Sequence, residues 1–390
     1  MFKRIRLLSK PNYESEIFNL KQLLLIVLFT TAQISSGQTI RNFSNEFLNI
    51  GVDAASFGMG KAVTAFSNDV NSIYWNPAGL VGLKDYQGSL MHAEYFQGIA
   101  NYDYVGFAKP INNESTVAVA VMRFGVDDIL NTTQLIQDGQ INYDRVSLFS
   151  AADWAVNVAY AKKLILKDLN IGVNAKIVRR KIGDFASSIG FGLDAGLQFK
   201  RNQWEFGLML RDITTTFNAW SFNDDELDNI IAIYDNLNES ILNDDNPDND
   251  DEIIPTVTPD KIELTKPKAQ LGIARKFNIS RDFNLLTALD LNMRFAKTND
   301  VISSSVVSIS PAFGFQVDYI NRVYVRGGIN NFQNQVDFEN NNSLTLEPNF
   351  GVGFNYKGIS IDYALTNIGG ASGTLFSNVF SLKVDISYFR

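Results

Sequence analysis

The sequence has no cysteine and only one histidine, His92. The lack of cysteine excludes disulfides, thiolate metal sites, a cysteine nucleophile and a lipoprotein anchor. No G-x-S-x-G signature marks a serine nucleophile, and the carboxylate pairs Asp127-Asp128 and Asp224-Asp225 are adjacent rather than placed across a cleft. No basic patch or phosphate-binding glycine loop indicates a nucleic-acid or nucleotide ligand. We therefore expect a protein that is not an enzyme, holds no cofactor and binds no nucleic acid.

Long apolar runs are also missing, apart from one near the start. Lysines and arginines between Lys3 and Lys21 precede an apolar run, Leu23 to Phe29, and the small residues Ser35-Ser36-Gly37 follow it. This order is typical of a secretory signal peptide, which we place at residues 1–37. A membrane anchor is the alternative, but the run has roughly half of the ~20 apolar residues that a spanning helix needs.

Negative charge is concentrated in one window. Phe222 to Glu263 holds 14 of the 42 Asp and Glu residues and a single lysine. Residues 214–267 are therefore predicted to form a long acidic loop. Asp244, Asn246, Asp248 and Asp250 resemble the start of a calcium loop, but Asn249 and Pro255 stand where its glycine and closing glutamate belong. We predict a solvated loop without a metal, with binding of a basic partner as the alternative.

From about Ser89 to the end, apolar and polar residues alternate in segments of roughly ten residues, as in strands with one apolar face. In the last segment, Phe380, Leu382 and Val384 share one face while Ser381 and Lys383 share the other. The segments lie near 89–95, 102–109, 115–124, 152–163, 169–180, 187–199, 204–213, 268–276, 284–294, 306–317, 322–330, 345–356, 359–365 and 379–388.

The polar faces of these segments favour a membrane barrel over a soluble β-sandwich, which remains the alternative. They are rich in Gly, Asn, Asp and Arg, as a crowded lumen requires, and the apolar faces carry aromatic residues near the strand ends. The sequence therefore predicts an all-β fold, a transmembrane antiparallel β-barrel of about 14 strands over residues 89–390. Residues 38–88 precede the strands and are too long for a simple tail.

Charged residues on the predicted lumen face form a second candidate site. These are Asp194, Asp290, Arg294, Arg322 and Arg326. They are candidates for a polar network in the lumen, because buried charges of both signs must pair. A path for a ligand or partner is the alternative interpretation.

SIYWNPAGL, Ser72 to Leu80, predicts a rigid turn. Pro77 fixes its own φ and restricts Asn76, whose side chain can bond its own backbone in an Asx-type turn. Trp75 supplies a rigid apolar anchor, and Gly79, after Ala78, permits a second bend. The stretch therefore favours a structural or gating role over a catalytic one.

A family resemblance rests on GVDAASFGMGKAVTAFSNDVNSIYWNPAGLVGL (Gly51 to Leu83), on MHAEYFQGIANYDYVGFAKPI and on GVDDI. These stretches ahead of about 14 strands resemble the FadL-type outer-membrane transporters of hydrophobic compounds and, within them, the PorV/PorQ family associated with type IX secretion. The resemblance implies that residues 38–88 form a plug inside the barrel. Its turn would be Trp75, Asn76, Pro77, Ala78 and Gly79, and its small-residue start Asp53, Ala54, Gly58 and Gly60.

The same resemblance implies an outer-membrane protein that contacts lipid and binds or escorts secreted proteins or type IX secretion components. The alternative is a FadL-like transporter of a hydrophobic small molecule, and a third interpretation is a scaffold without a ligand. The sequence does not identify the cargo or the ligand, the oligomeric state, a movement of the plug or the role of the acidic loop.

Overall fold

The computed structural model describes residues 44–96, 98–137, 140–166, 168–228, 231–232, 261–336, 342–366 and 377–389. The chain divides into two compact units, residues 1–40 and 41–390, and the described residues all belong to the second. The predicted signal peptide (1–37), the calcium-like stretch (244–250) and most of the acidic loop lie outside the described residues.

Nineteen strands are present among the described residues. They are β1 (Gln87–Tyr95), β2 (Ala100–Asn112), β3 (Ser115–Asn131), β4 (Ile136–Gln137), β5 (Gln140–Ile141), β6 (Ser147–Lys163), β7 (Leu169–Ile182), β8 (Ala186–Arg201), β9 (Trp204–Arg211), β10 (Thr216–Phe222), β11 (Ile262–Thr265), β12 (Lys268–Asn278), β13 (Phe283–Arg294), β14 (Ile302–Ser303), β15 (Ser308–Tyr319), β16 (Val323–Val336), β17 (Asn342–Tyr356), β18 (Ile359–Thr366) and β19 (Ser377–Asp385).

Antiparallel pairing joins all of these except the small β4–β5 hairpin into one sheet, and β1 closes the sheet by pairing with β19. Strands β9 and β10 follow one another along the wall as one broken strand, and β11 and β12 do the same. With the short β14 left aside, the wall has 14 strands. The prediction of a closed antiparallel barrel of about 14 strands is confirmed.

Several strands are longer than predicted, among them β6, which begins at Ser147, and β16, which ends at Val336, and two further differences concern residues 214–267 and β3. Strands β10 and β11 lie within residues 214–267, where a loop was expected, so the wall continues on both sides of the acidic stretch. Strand β3 runs on to Asn131 through an irregularity between Val126 and Ile129, where Asp128 adopts a φ of 58°. The irregularity in β3 is a bulge, which interrupts the period of two without ending the strand.

The barrel has an exposed apolar outer face and a buried inner face. On β6, Trp154, Val156 and Val158 are exposed, whereas the alternate residues Ala155 and Asn157 are buried. Outward apolar side chains recur around the wall, and Phe350, Ile361 and Phe380 are each more than half exposed. The apolar face predicted for the alternating strands is therefore the outer face of the barrel.

Residues 44–86, here called the N-terminal segment, pack against the buried face of the wall. The segment contains a 3-10 helix (Glu46–Asn49), α1 (Ala54–Gly58), α2 (Ser72–Trp75) and a second 3-10 helix (Pro77–Gly82). Its apolar side chains share one core cluster with inward residues of the wall. None of the helices among the described residues is long and apolar enough to cross a membrane.

Candidate functional site

The Asn-Pro-Ala turn docks on the wall through the Asn76 side chain. Asn76 is fully buried and extended, and its Oδ1 accepts a hydrogen bond from the N–H of Ala78 at 3.2 Å, in an Asx-type turn. Its Nδ2 donates to the carbonyl of Thr64 at 2.9 Å and to that of Leu197, on β8, at 3.1 Å. One side chain therefore joins the turn, the rest of the segment and the wall.

Trp75 and Tyr74 anchor the start of this turn. The Nε1 of Trp75 donates to the carbonyl of Val52 at 3.1 Å, and the hydroxyl of Tyr74 donates to that of Leu48 at 2.7 Å. The two rings meet edge to face with centroids 4.8 Å apart. The guanidinium of Arg211, from β9, lies 4.5 Å from the Tyr74 ring centre and donates to the Tyr74 carbonyl.

Gly79 fits the turn because a side chain would have no space there. A Cβ atom at this position would lie 1.9 Å from the carbonyl oxygen of Ser67. The φ of Gly79 is not positive, so the requirement is close approach of two backbones rather than an unusual conformation.

Asp53 starts α1 and ties the segment to β19. Its φ is 72°, and its Oδ2 accepts a hydrogen bond from the N–H of Ser56 at 3.3 Å. The hydroxyl of Ser381 donates to Asp53 Oδ1 at 3.0 Å and accepts from the N–H of Ala54 at 3.0 Å. Burial raises the pKa of Asp53 to about 6, although Lys383 opposes the shift.

Glycines on the inner face of the wall lie directly against the backbone of the N-terminal segment. If each of these glycines carried a Cβ atom, that atom would lie within 2.4 Å of an atom of the segment. The pairs of wall glycine and segment residue are Gly172 and Pro77, Gly196 and Asn76, Gly207 and Thr64, Gly314 and Met59, and Gly328 and Gly60. In the segment itself, a Cβ at Gly58 would lie 2.9 Å from the Cα of Gly351. Small residues on both sides therefore let the segment touch the wall along much of its length.

The structure places the five predicted lumen charges in different surroundings. Asp194 forms a buried ion pair with Lys176 at 2.8 Å, and Arg326 forms one with Asp362 at 2.7 Å. Asp290 Oδ2 accepts a hydrogen bond from the N–H of Thr64 at 3.0 Å. Arg294 lines a cavity beside the segment, and Arg322 is exposed in the turn before β16. No contact among the described atoms joins any two of these five residues.

Sequence reasoning missed Lys176 and Asp212. Lys176 Nζ lies 2.8 Å from Asp194 and 2.6 Å from Asp212, and the N–H of Asp212 donates to Asp194 at 2.8 Å. Asp212 has a φ of 56° in the break between β9 and β10, which directs it inward. Alternation along β7 places Lys176 on the polar face, which is a signal for an inward lysine, but nothing local marks the break at Asp212.

Two cavities border the N-terminal segment at opposite ends of the barrel. At the end with long connections, such as 223–261 between β10 and β11, a cavity of about 450 Å³ is lined by Phe47, Ile50, Tyr95, Phe96 and Phe124, and by polar residues on one side. There Arg180 pairs with Asp153 at 2.9 Å and with Glu263 at 3.3 Å. We call this the aromatic cavity.

At the end with short turns, such as 202–203 between β8 and β9, a cavity of about 790 Å³ has charged residues of both signs on its walls, among them Asp53, Asp69, Arg326, Asp362 and Lys383. Residues of the N-terminal segment line both cavities. Among the described residues, no three His, Asp or Glu side chains lie close enough together to hold a metal ion.

Comparison with solved structures shows a shared fold. A Pseudomonas aeruginosa FadL homologue matches with 11% identity over 85% of this chain and 97% of that chain, at a TM-score of 0.50. The Pseudomonas putida toluene transporter TodX (12% identity, 86% and 98% covered, TM-score 0.49) and the Ralstonia pickettii toluene transporter TbuX (10%, 86% and 98%, 0.48) also match.

No protein-family model matches the sequence, and no curated protein matches it. The structural neighbours agree with the FadL-like part of the resemblance at the level of fold. The PorV/PorQ assignment is not confirmed and stays a prediction.

Proposed function

We propose that the chain is an outer-membrane barrel that passes a hydrophobic small molecule across the membrane, with the N-terminal segment as its plug. The outward apolar belt supports the location. Side chains such as Val158 and Phe350 are 56% and 59% exposed, and a closed barrel is one of two folds that satisfy every backbone group in lipid.

The observation that carries the choice of cargo is the aromatic cavity. Its apolar wall of four aromatic rings and Ile50 lies at the end of the barrel with long connections, which in outer-membrane barrels faces the exterior. The rest of its lining is polar, with Arg180 paired to Asp153 and Glu263, and small-molecule sites combine apolar surface with such polar groups. An apolar compound arriving from outside would be taken up there first.

Contacts of the N-terminal segment support its role as a plug. Its turn is hydrogen-bonded to β8 through Asn76, its start to β19 through Asp53, and wall glycines receive its backbone. Passage then requires the segment to shift, because it lines the cavities at both ends.

The neighbours' printed names agree with such a cargo, since two of them are toluene transporters. The secretion role predicted from the PorV/PorQ resemblance is favoured by no contact or cavity in the described residues. Its test is co-purification of secretion components with the tagged protein from solubilised membranes.

Uptake of labelled toluene by a strain that lacks the gene, complemented with variants, tests the transport proposal. Phe96→Asp places a charge in the aromatic cavity and should lower uptake about tenfold or more. The matched control Ile165→Asp changes a fully exposed isoleucine in the short turn after β6 and should leave uptake within about twofold. Equal uptake with and without the gene would refute transport of this class of compound.

Leakage of small hydrophilic solutes tests the plug separately. Pro77→Gly combined with Trp75→Ala removes the rigid turn and its anchor, and should raise leakage. Unchanged leakage through a folded barrel would mean that this turn is not a seal.

A further inference from the structure

A third cavity, of about 330 Å³, lies between the N-terminal segment and the wall strands β9, β12, β13, β15, β16 and β17. Four cationic residues line it, Lys61, Arg211, Lys268 and Arg294, against two carboxylates, Glu46 and Glu347. Its remaining polar walls are neutral hydrogen-bonding groups, including Asn292, Ser310, Asn330 and Gln333. We call it the cationic cavity.

Both carboxylates of this cavity already have partners. Glu347 accepts hydrogen bonds from Asn331 at 2.7 Å and from Asn330 at 3.3 Å. Glu46 accepts from Asn49 at 2.8 Å and lies 3.6 Å from Lys268. Neither carboxylate neutralises the other cations at ion-pair distance.

Arg211 and Lys268 are likewise engaged, but Lys61 and Arg294 are not. Arg211 donates to Gln270 and to the Tyr74 carbonyl. Among the described residues, no carboxylate lies within 4.0 Å of Lys61 or Arg294, and the Lys61 ammonium contacts only the face of Phe57, at 5.2 Å. Burial lowers the pKa of Lys61, and Arg294 lowers it further while Glu347 raises it.

Lys61 and Arg294 are half-buried around this partly open cavity, and cations that are partly removed from water are stabilised by a partner anion. A compact oxyanion with two negative charges would match the excess of two cations, and the surrounding amides and the Ser310 hydroxyl would donate to its remaining oxygens.

We infer that the cationic cavity binds a small hydrophilic dianion of the phosphate or dicarboxylate type, held between Lys61 of the N-terminal segment and Arg294 at the end of β13. Such an anion joins the segment to the wall on the side of the long connections. It is therefore a second ligand, chemically distinct from the apolar cargo, whose binding holds the segment in place.

Calorimetric titration of the full chain in detergent, at constant ionic strength, tests the site with inorganic phosphate and with succinate. Saturable binding of either dianion at one per chain is expected, without comparable binding of chloride. Arg294→Gln and Lys61→Asn should each weaken binding about tenfold or more, the size expected for one charge-assisted hydrogen bond. Asparagine suits position 61 because the residue has a φ of 63°.

Two variants control for folding and for overall charge. Arg294→Lys keeps the charge and should retain most of the affinity, whereas Arg322→Gln removes an equal charge from an exposed turn and should change nothing. Absence of saturable binding of both dianions, or equal affinity in wild type, Arg294→Gln and Lys61→Asn, would overturn the proposal. Toluene uptake is a separate measurement, so failure of either proposal is recognised independently.

Discussion

The inner face of the barrel has two unlike flanks. The inward residues of β1, β2, β3 and β6 are mostly alanine, tyrosine and methionine: Met91, Ala93, Tyr95, Ala100, Tyr102, Tyr104, Ala118, Ala120, Met122, Ala155 and Ala159. Those from β7 to β18 include many polar and charged residues: Asn174, Lys176, Asp194, Asn218, Asp290, Arg326, Asn349 and Asp362. We call them the apolar flank and the polar flank.

The two flanks hold the N-terminal segment by different means. The apolar flank offers it packing, with few hydrogen bonds, such as the one from the Asp53 N–H to the Met91 sulfur. The polar flank binds its backbone directly, as Asp290 and Gln198 both do at Thr64, and supplies the glycines that permit this approach. Packing tolerates small shifts, whereas hydrogen bonds and close backbone contacts specify one position.

The largest effect is expected from closing the space on the polar flank. A side chain at Gly328 would put its Cβ 2.2 Å from the N atom of Gly60, so Gly328→Val should lower the free energy of unfolding by about 3 kcal/mol or more. Denaturant titration in detergent measures it. Gly88→Val is the control, since its Cβ would meet nothing nearer than 4.0 Å. Equal losses in both variants would contradict the close packing of the segment.

The stability of the protein should depend on pH through Asp53, the residue that hydrogen-bonds the N-terminal segment to β19. Its folded pKa of about 6 lies above the ordinary value of 3.8, so the folded state retains a proton that the unfolded state has lost. The contribution of Asp53 to stability is therefore greatest below about pH 4 and falls as the pH rises to 6, by about 2 to 3 kcal/mol. Denaturant titrations between pH 4 and 7 should show a steeper fall in wild type than in Asp53→Asn. Parallel pH profiles would mean that Asp53 does not titrate in this range.

Asn76→Ala should lower the free energy of unfolding by about 2 kcal/mol, because the carbonyl of Thr64 and the N–H of Ala78 lose their hydrogen-bond partner in a buried site. Asn101→Ala, on the outer face of β2, is the matched control and should change the free energy of unfolding by no more than about 0.5 kcal/mol. The same titration compares them. A loss no larger for Asn76→Ala than for Asn101→Ala would show that the turn is held by packing alone.

The smallest effect is expected when the same substitution, tyrosine to phenylalanine, is made in the N-terminal segment and on the apolar flank. Tyr74→Phe removes a hydrogen bond to the Leu48 carbonyl and should lower the free energy of unfolding by about 1 kcal/mol. Tyr104→Phe, on the apolar flank, removes a buried hydroxyl that has no partner among the described atoms, and should be neutral or slightly stabilising. A larger loss for Tyr104→Phe would reverse the distinction between the flanks.

Much of the wall was predictable because alternation is a local signal. Phe380, Leu382 and Val384 opposite Ser381 and Lys383 predicted a strand and its two faces, and β19 has that arrangement. Glycine on the lumen face predicted a crowded interior. The apolar flank was not predicted, because Met91 and Tyr95 share the inner face while His92 and Glu94 face outward, opposite to what polarity suggests.

In the candidate site, the sequence predicted the positions of single residues better than it predicted which residues they contact. The turn at Asn76 and Pro77 follows from the backbone restrictions of those two residues, and Asp194 and Arg326 are inward charges as expected. Their counter-charges come from other strands, Lys176 from the adjacent β7 and Asp362 from β18, which is separated from β16 by β17. Arg322 follows the polar alternation of β16 but lies in the preceding turn, where it is exposed.

By itself, therefore, the sequence determined the strands, their apolar side and a rigid turn ahead of them, since each depends on residues within a few positions of one another. Tertiary structure alone decided which glycine receives which part of the N-terminal segment, as Gly328 receives Gly60, and which cations have no carboxylate at ion-pair distance among the described residues, as Lys61 and Arg294. Those outcomes depend on strand register and on barrel closure, which bring together residues hundreds of positions apart and leave no local pattern in the chain.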